Sequence, residues 1–135
     1  MLRKLSVFAV ALLVAGCAAP TREAQGPVDC AKEKCVALTF DDGPTPYIDR
    51  LIQVLTDAGA KATFFMIGNK VAANPEAAKR VAEAGMEIGN HTWEHPDMTT
   101  IGAQFVPEQL SKAQDAITAA TGKTPNIWRP PGGLT

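Results

Sequence analysis

Three short polar sequences contain the residues of this chain that could do chemistry. They are DDGP at residues 41 to 44, HTWEH at residues 91 to 95 and RPPGG at residues 129 to 133. Two imidazoles and one carboxylate can bind a divalent cation and leave coordination positions open, which a hydrolytic metal centre needs. Adjacent carboxylates point in different directions, so one of Asp41 and Asp42 can bind the metal while the other lies beside its water.

Each of these sequences also has a simpler structural interpretation. DDGP is a common kind of turn, the spacing HxxxH alone is a weak signal, and RPPGG can form a rigid turn with a solvated arginine. Their positions favour chemistry, because each follows a segment with the pattern of a β-strand. In α/β folds the loops after the carboxyl ends of parallel strands meet at one rim. We therefore expect DDGP, HTWEH and RPPGG to lie together at one rim of the sheet.

Short apolar runs predict four strands that alternate with helices. The strands are expected at residues 36 to 40, 62 to 67, 86 to 90 and 126 to 128. The helices are expected from Ile48 to a left-handed Gly59, from Pro75 with Asn74 as its N-cap to just before Gly85, and from Pro107 to Gly122. This alternation predicts an α/β domain with a parallel sheet.

Length and charge narrow the class of protein further. A chain of 135 residues has room for one small domain. Thirteen basic and fourteen acidic side chains give a net charge of −1, and no basic cluster follows the first few residues. Nucleic acid is therefore not an expected partner.

The N-terminus has the pattern of an export signal. Arg3 and Lys4 precede an apolar run at residues 5 to 15, which is too short for a permanent membrane span. The run ends at VAGC, which resembles a bacterial lipobox and predicts that Cys17 carries a lipid. An ordinary cleaved signal peptide with an incidental cysteine is the alternative. We expect a signal peptide at residues 1 to 16, a tether at 17 to 34 and a domain at 35 to 135.

The remaining cysteines form an even pair. With Cys17 assigned to a lipid, Cys30 and Cys35 are left in a protein exported to an oxidising compartment, where a disulfide is expected. Two cysteines alone make a poor zinc site. A frayed segment with two unpaired thiols is the alternative.

The motifs resemble those of a known family. TFDDGP at residues 39 to 44 is similar to the first motif of the polysaccharide deacetylase family (the NodB homology domain, carbohydrate esterase family four), and HTWEH matches its second motif, H-[ST]-x-x-H. RPP at residues 129 to 131 resembles the third. ATFF at residues 62 to 65, followed by Gly68 and Asn69, is similar to the second strand of that family.

The resemblance implies a fold, a reaction and residue roles. The fold would be a partial (β/α) barrel. The protein would remove acetyl groups from N-acetylated glycans, such as peptidoglycan or chitin oligosaccharides, as a monomer anchored to the cell membrane and facing the envelope or exterior. Asp42, His91 and His95 would bind zinc, or else cobalt or nickel. Asp41 would be the general base, and Arg129 would orient it.

The chain also differs from the family pattern. Gly132 occupies a position at which the family often has an aromatic residue, and its backbone amide could still contribute to an oxyanion hole. The sequence has two histidines, both in HTWEH, so the family's general-acid histidine is missing from it. We therefore expect a barrel that is incomplete at its C-terminus. A catalytically impaired metal- or glycan-binding remnant and an acetylxylan esterase are the alternatives.

HTWEH also fits the pattern H-x-x-E-H of inverted zinc proteases. That pattern requires both histidines on one face of a helix. Pro96 follows His95 and disfavours helical backbone there, so the sequence predicts that Glu94 is an exposed loop residue and not part of a protease site.

Overall fold

A computed structural model describes residues 29 to 133 of the chain. Strands and helices alternate along this part. The elements are β1 Thr39–Gly43, α1 Ile48–Asp57, β2 Thr63–Met66, α2 Gly68–Ala73, α3 Pro75–Glu83, β3 Glu87–Asn90 and α4 Val106–Thr121, with short 3₁₀ turns at Ala103–Phe105 and Pro131–Gly133. None of the helices in residues 29 to 133 is long and apolar enough to cross a membrane.

The three strands form one parallel sheet with β2 in the centre. Thr63 in β2 pairs with Thr39 in β1 on one side and with Glu87 in β3 on the other. Helix α1 connects β1 to β2, and helices α2 and α3 connect β2 to β3. The predicted α/β class and parallel sheet are confirmed, because parallel neighbours require crossover connections of this kind.

Strand β1 lies later in the chain than the sequence predicted. The expected strand was residues 36 to 40, but β1 is Thr39–Gly43 and so includes both aspartates that were assigned to a turn. Pairing begins only where β2 lies alongside, with the N–H of Thr63 donating to the carbonyl of Leu38 at 3.0 Å. Val36 is 83% exposed, so its apolar side chain is not part of the core.

The fourth predicted strand is only a single bridge. Within residues 29 to 133, the segment at 126 to 128 pairs with β3 through Asn90 and Trp128 alone. The N–H of Asn90 donates to Ile127 O at 3.0 Å, and the N–H of Arg129 donates to Asn90 O at 2.9 Å. The segment meets β3 at its last residue, and Pro125 has no N–H with which to extend the ladder.

Helix α2 was not predicted. Its six residues, GNKVAA, carry one large apolar side chain, the fully buried Val71, which is too little to show helical periodicity. Tertiary hydrogen bonds satisfy its first N–H groups, because Gly68 donates to Thr92 O at 2.9 Å and Asn69 donates to Trp93 O at 3.0 Å. The following helix α3 begins as predicted, with the side chain of Asn74 accepting a hydrogen bond from the N–H of Ala77 at 3.3 Å.

The core lies between one face of the sheet and the helices that cover it. Successive strand side chains alternate, so Phe64 and Met66 enter the core while Phe65 points the other way. Phe64 stacks on Phe40 with ring centroids 5.2 Å apart. The helices contribute their apolar side chains to the same core, among them Leu55, Val71, Ala77, Val81 and Ile117.

The segment before β1 contains a disulfide. Cys30 and Cys35 are bonded, with their Cα atoms 5.5 Å apart. The expected lipid site Cys17, the signal peptide at residues 1 to 16 and most of the tether lie outside the described residues.

Helix α4 packs so closely on α2 that Gly68 cannot be enlarged. A methyl group at Gly68 would lie 2.6 Å from Cα of Ala113 and 2.7 Å from the indole of Trp93. We expect Gly68→Ala to lower the free energy of unfolding by about 1–3 kcal/mol, as overpacking generally does. Urea denaturation measures this change. Asn69→Ala, at the exposed next position of the same helix, should have a much smaller effect, and equal losses for the two variants would contradict the packing argument.

Candidate metal centre

The three polar sequences meet at one rim of the sheet, as predicted. Asp42 lies near the end of β1, and His91 and His95 follow β3. The Oδ1 atom of Asp42 lies 3.4 Å from Nε2 of His91 and 3.1 Å from Nε2 of His95. One ligand atom from each residue lies within 4.8 Å of the others. The chain therefore brings together a carboxylate and two imidazoles that are up to 53 positions apart in sequence.

A backbone carbonyl sets the orientation of His91. Its Nδ1 atom lies 2.8 Å from the carbonyl oxygen of Arg129, and its side chain is only 2% exposed. Because a carbonyl can only accept a hydrogen bond, the proton of a neutral imidazole is on Nδ1. Nε2 then directs its lone pair towards Asp42, which is how a metal-binding histidine is usually oriented.

This donor set fits a divalent cation. The lone pair of a neutral imidazole repels an ionised carboxylate at such a distance unless a cation lies between them. Two ligands about 2.0–2.1 Å from a tetrahedral ion are roughly 3.3 Å apart, and the two distances from Asp42 bracket that value. Imidazole and carboxylate ligands suit several first-row metals, including zinc.

Backbone strain is concentrated at this cluster. Among the described residues, the non-glycine residues with positive φ are Asp42 at 66°, Thr92 at 67° and His95 at 60°. Two of them are candidate ligands and the third lies between the histidines. Such conformations are costly and persist only where the surrounding contacts enforce them, so their concentration here supports a functional role. The pairing of β1 with β2 is also irregular between Phe40 and Gly43.

Thr92 and Asn90 hold the two histidines in place. The hydroxyl of the fully buried Thr92 donates to the carbonyl of His91 and accepts from the N–H of His95 at 3.2 Å. The N–H of Thr92 donates to Oδ1 of Asn90 at 2.8 Å, and the Asn90 amide donates to Leu110 O at 2.8 Å. Sequence reasoning gave neither residue a role, although the hydroxyl position in the motif H-[ST]-x-x-H was a signal for Thr92.

The second carboxylate, Asp41, is held by Arg129. One guanidinium nitrogen, Nη1, donates to Oδ1 of Asp41 at 2.7 Å and to the hydroxyl of Thr39 at 3.1 Å. The guanidinium also lies over the ring of Phe65, 4.1 Å from its centroid, a favourable cation–π arrangement. Phe65 in turn lies against Gly89, where a Cβ atom would be 2.5 Å from the ring. Adjacent aspartates thus have different partners.

The loop that contains the histidines is not helical. Residues 91 to 95 contain no helix, and Glu94 is exposed and outside the ligand cluster. The two histidines therefore do not lie on one helical face, and the inverted zinc-protease interpretation has no structural basis.

After His95, the hydroxyl of Thr99 donates to Asp97 at 2.6 Å, and this hydrogen bond lowers the pKa of the Asp97 carboxyl.

Gly132 has a left-handed backbone, with φ of 64°. A residue with a side chain adopts this conformation at a cost, whereas glycine does so readily. Gly132, at a position where the family often has an aromatic residue, therefore adopts this conformation without the cost that a side chain would add.

The fold and the site define an α/β protein with a candidate hydrolytic metal centre at the carboxyl ends of its parallel strands. A family model described as polysaccharide deacetylase matches residues 29 to 135. The chain therefore belongs to the polysaccharide deacetylase family, and the resemblance drawn from its motifs is confirmed.

Individual relatives agree with this assignment. The chain is 36% identical to a chitin deacetylase of Pestalotiopsis sp, over 93% of this chain and 45% of the relative. It is 42% identical to the peptidoglycan-N-acetylglucosamine deacetylase PgdA of Listeria monocytogenes, over 74% of this chain and 22% of the relative. The solved structure of the peptidoglycan deacetylase PdaC from Bacillus subtilis superposes with a TM-score of 0.75 at 38% identity, covering 80% of this chain and 54% of that one. The chain thus spans less than half the length of these two curated relatives.

The cluster predicts that Asp42 contributes to zinc affinity and that the adjacent Asp41 contributes much less. Asp42→Asn should weaken binding of Zn²⁺ by about 100-fold or more, because it removes a charged ligand. Competition with a chromophoric chelator measures the affinity. Asp41→Asn makes the same chemical change one residue away, outside the cluster, and should weaken zinc binding much less than Asp42→Asn does. Equal losses in both variants would contradict the assignment of Asp42 as the ligand.

Proposed function

We propose that this protein is a metal-dependent hydrolase that removes acetyl groups from N-acetylglucosamine units of a polysaccharide. The observation that carries the proposal is the cluster of Asp42, His91 and His95 beside a second carboxylate, Asp41, held by Arg129. Membership of the polysaccharide deacetylase family supports the same chemistry. The proposed metal is Zn²⁺, with Co²⁺ or Ni²⁺ as substitutes that the same donors accept.

The residues have separate roles in the proposed reaction. A divalent cation in the cluster would polarise the acetamide carbonyl and make water a better nucleophile. Asp41 would be the general base, and Arg129 would keep it in position. Arg129 binds only Oδ1, and no hydrogen bond to Oδ2 is present within the described residues, so Oδ2 can accept the proton of the attacking water. The Asp41 side chain is 34% exposed and hence within reach of substrate.

The proposed substrates are peptidoglycan and chitin oligosaccharides. The similar proteins are named as deacetylases of these two polymers, both of which contain N-acetylglucosamine. An acetylxylan would instead require cleavage of an ester. Comparing acetate release from the three substrates distinguishes these possibilities.

A second candidate function is binding of a metal and a glycan without efficient turnover. Both histidines of the sequence belong to the cluster and are assigned to the metal, so another group would have to protonate the leaving amine. General acid catalysis typically contributes 10²–10⁴-fold to a rate. A protein that binds zinc and chitin oligosaccharides but releases acetate no faster than the Asp41→Asn variant would have this second function.

The test of the proposed function is acetate release by the full chain loaded with zinc. Chitin oligosaccharides and peptidoglycan should release acetate, and a chelator should stop the release until zinc is restored. Asp41→Asn should lower the rate by about 10²–10⁴-fold with zinc still bound, since it removes the base and leaves the cluster intact. No acetate from any acetylated glycan, with zinc bound, would overturn the proposal of a deacetylase.

We also propose that the protein is exported and attached to a membrane through a lipid on Cys17, with a tether to about residue 34 and a deacetylase domain from residue 35. The apolar run and lipobox-like sequence at residues 5 to 17 support this proposal. In a bacterial host fed an alkyne-tagged fatty acid, the full chain should incorporate the tag and Cys17→Ala should not. Equal labelling of both proteins, or of neither, would contradict lipid attachment at Cys17.

A further inference from the structure

The loop between the two histidines has a distinctive pattern of hydrogen bonds. Residues 92 to 95 belong to no helix or strand, so their N–H groups need other partners. All four donate to side-chain oxygens. The acceptors are Asn90 for residue 92, Gln109 for residues 93 and 94, and Thr92 for residue 95. Asn90, the last residue of β3, and Thr92 are close in sequence to the N–H groups that they accept from, whereas Gln109 lies on helix α4.

A single oxygen of Gln109 accepts two of these hydrogen bonds. Its Oε1 lies 3.1 Å from the N–H nitrogen of Trp93 and 2.9 Å from that of Glu94. The opposite side of the loop is held by helix α2, because Gly68 and Asn69 donate their N–H groups to the carbonyls of Thr92 and Trp93. The loop is therefore fixed between α2 and α4. Among the described residues, Gln109 is the residue of α4 that accepts hydrogen bonds from the N–H groups of the loop.

Glu94 determines which way the Gln109 amide points. Nε2 of Gln109 donates to Oε2 of Glu94 at 2.9 Å. An ionised carboxylate can only accept, so it selects the NH₂ end of the amide and leaves Oε1 directed at the two backbone N–H groups. With the amide reversed, its NH₂ group would face two other donors. Glu94 thus contributes to the loop although it is not a ligand.

We propose that Gln109 and Glu94 are a positioning pair that holds the loop in the geometry required for metal binding. Gln109 fixes the backbone just before His95, and Glu94 acts through Gln109. The inference rests on the metal centre of the proposed function. It also accounts for the glutamate in HTWEH, to which the proposed deacetylase chemistry gives no role.

His95 is the ligand that depends on this pair. His91 is 2% exposed and bonded to a carbonyl, whereas the side chain of His95 is 37% exposed and its backbone has a positive φ of 60°. Without Gln109, the N–H groups of Trp93 and Glu94 lose their acceptor, and the loop can relax towards conformations that leave His95 out of place. Partners of this kind, which orient metal ligands, typically contribute 10–100-fold to metal affinity.

The test measures zinc affinity of the full chain by competition with a chromophoric chelator. Gln109→Met keeps the size of the side chain and removes its hydrogen bonds, and should weaken binding by about 10-fold or more. Gln109→Glu should also weaken it, because two carboxylates would then face each other. Glu94→Gln keeps an oxygen that can accept from Gln109 but no longer excludes the reversed amide, so it should weaken binding less than Gln109→Met does.

The exchanged pair is the decisive variant. Glu94→Gln combined with Gln109→Glu restores one amide and one carboxylate with their positions reversed, and it should recover most of the affinity that Gln109→Glu loses. Gln114→Met makes the same change as Gln109→Met on an exposed position of the same helix whose side chain makes no hydrogen bond to residues 92 to 95, and should bind zinc like the original protein.

The outcomes separate this inference from the proposed function. If the unaltered chain binds no zinc, the metal centre itself is wrong. If it binds zinc and a folded Gln109→Met binds as tightly, the positioning pair is wrong. If circular dichroism shows that Gln109→Met is unfolded, the exchanged pair decides, and an affinity no better than that of Gln109→Glu alone would overturn the inference.

Discussion

The geometry of the site depends on Arg129, which is hydrogen-bonded to both His91 and Asp41. Its carbonyl accepts the hydrogen bond that orients His91 towards the candidate metal position, and its guanidinium holds Asp41. Its N–H donates to Asn90 O, which attaches this segment to the end of β3. The candidate ligand His91, which follows β3, and the proposed base Asp41 on β1 therefore share one reference point. A shift of this segment would disturb both, which is a physical reason for a rigid proline-rich sequence directly after it.

The cluster shows how a local cost is offset by surrounding contacts. Asp42, Thr92 and His95 all have positive φ, and polar groups replace the regular pairing that such backbone loses. Lys70 donates to the carbonyl of Asp42 at 2.9 Å. Side-chain oxygens accept hydrogen bonds from the N–H groups of residues 92 to 95. The site is thus preorganised by hydrogen bonds from α2, α4 and the loop itself, above a core of apolar side chains that supplies stability.

The described part contains the proposed ligands and base, and relatives are considerably longer. Its three strands supply Asp41 and Asp42 from β1, the support of Phe65 from β2, and both histidines from the segment after β3. These are the elements that metal binding and activation of water require.

The sequence by itself determined the elements and the chemical groups, because both are encoded locally. Apolar runs and the caps at Asn74 and Gly122 predicted the strand–helix alternation, and DDGP with HTWEH predicted the cluster. Tertiary structure decided the rest. It placed the aspartates within β1, formed α2 through contacts with the histidine loop, and reduced the fourth strand to a bridge at Asn90. The roles of Phe65, Gln109 and Glu94 also arise only in the folded chain, since their partners are brought together by packing and no local pattern records them.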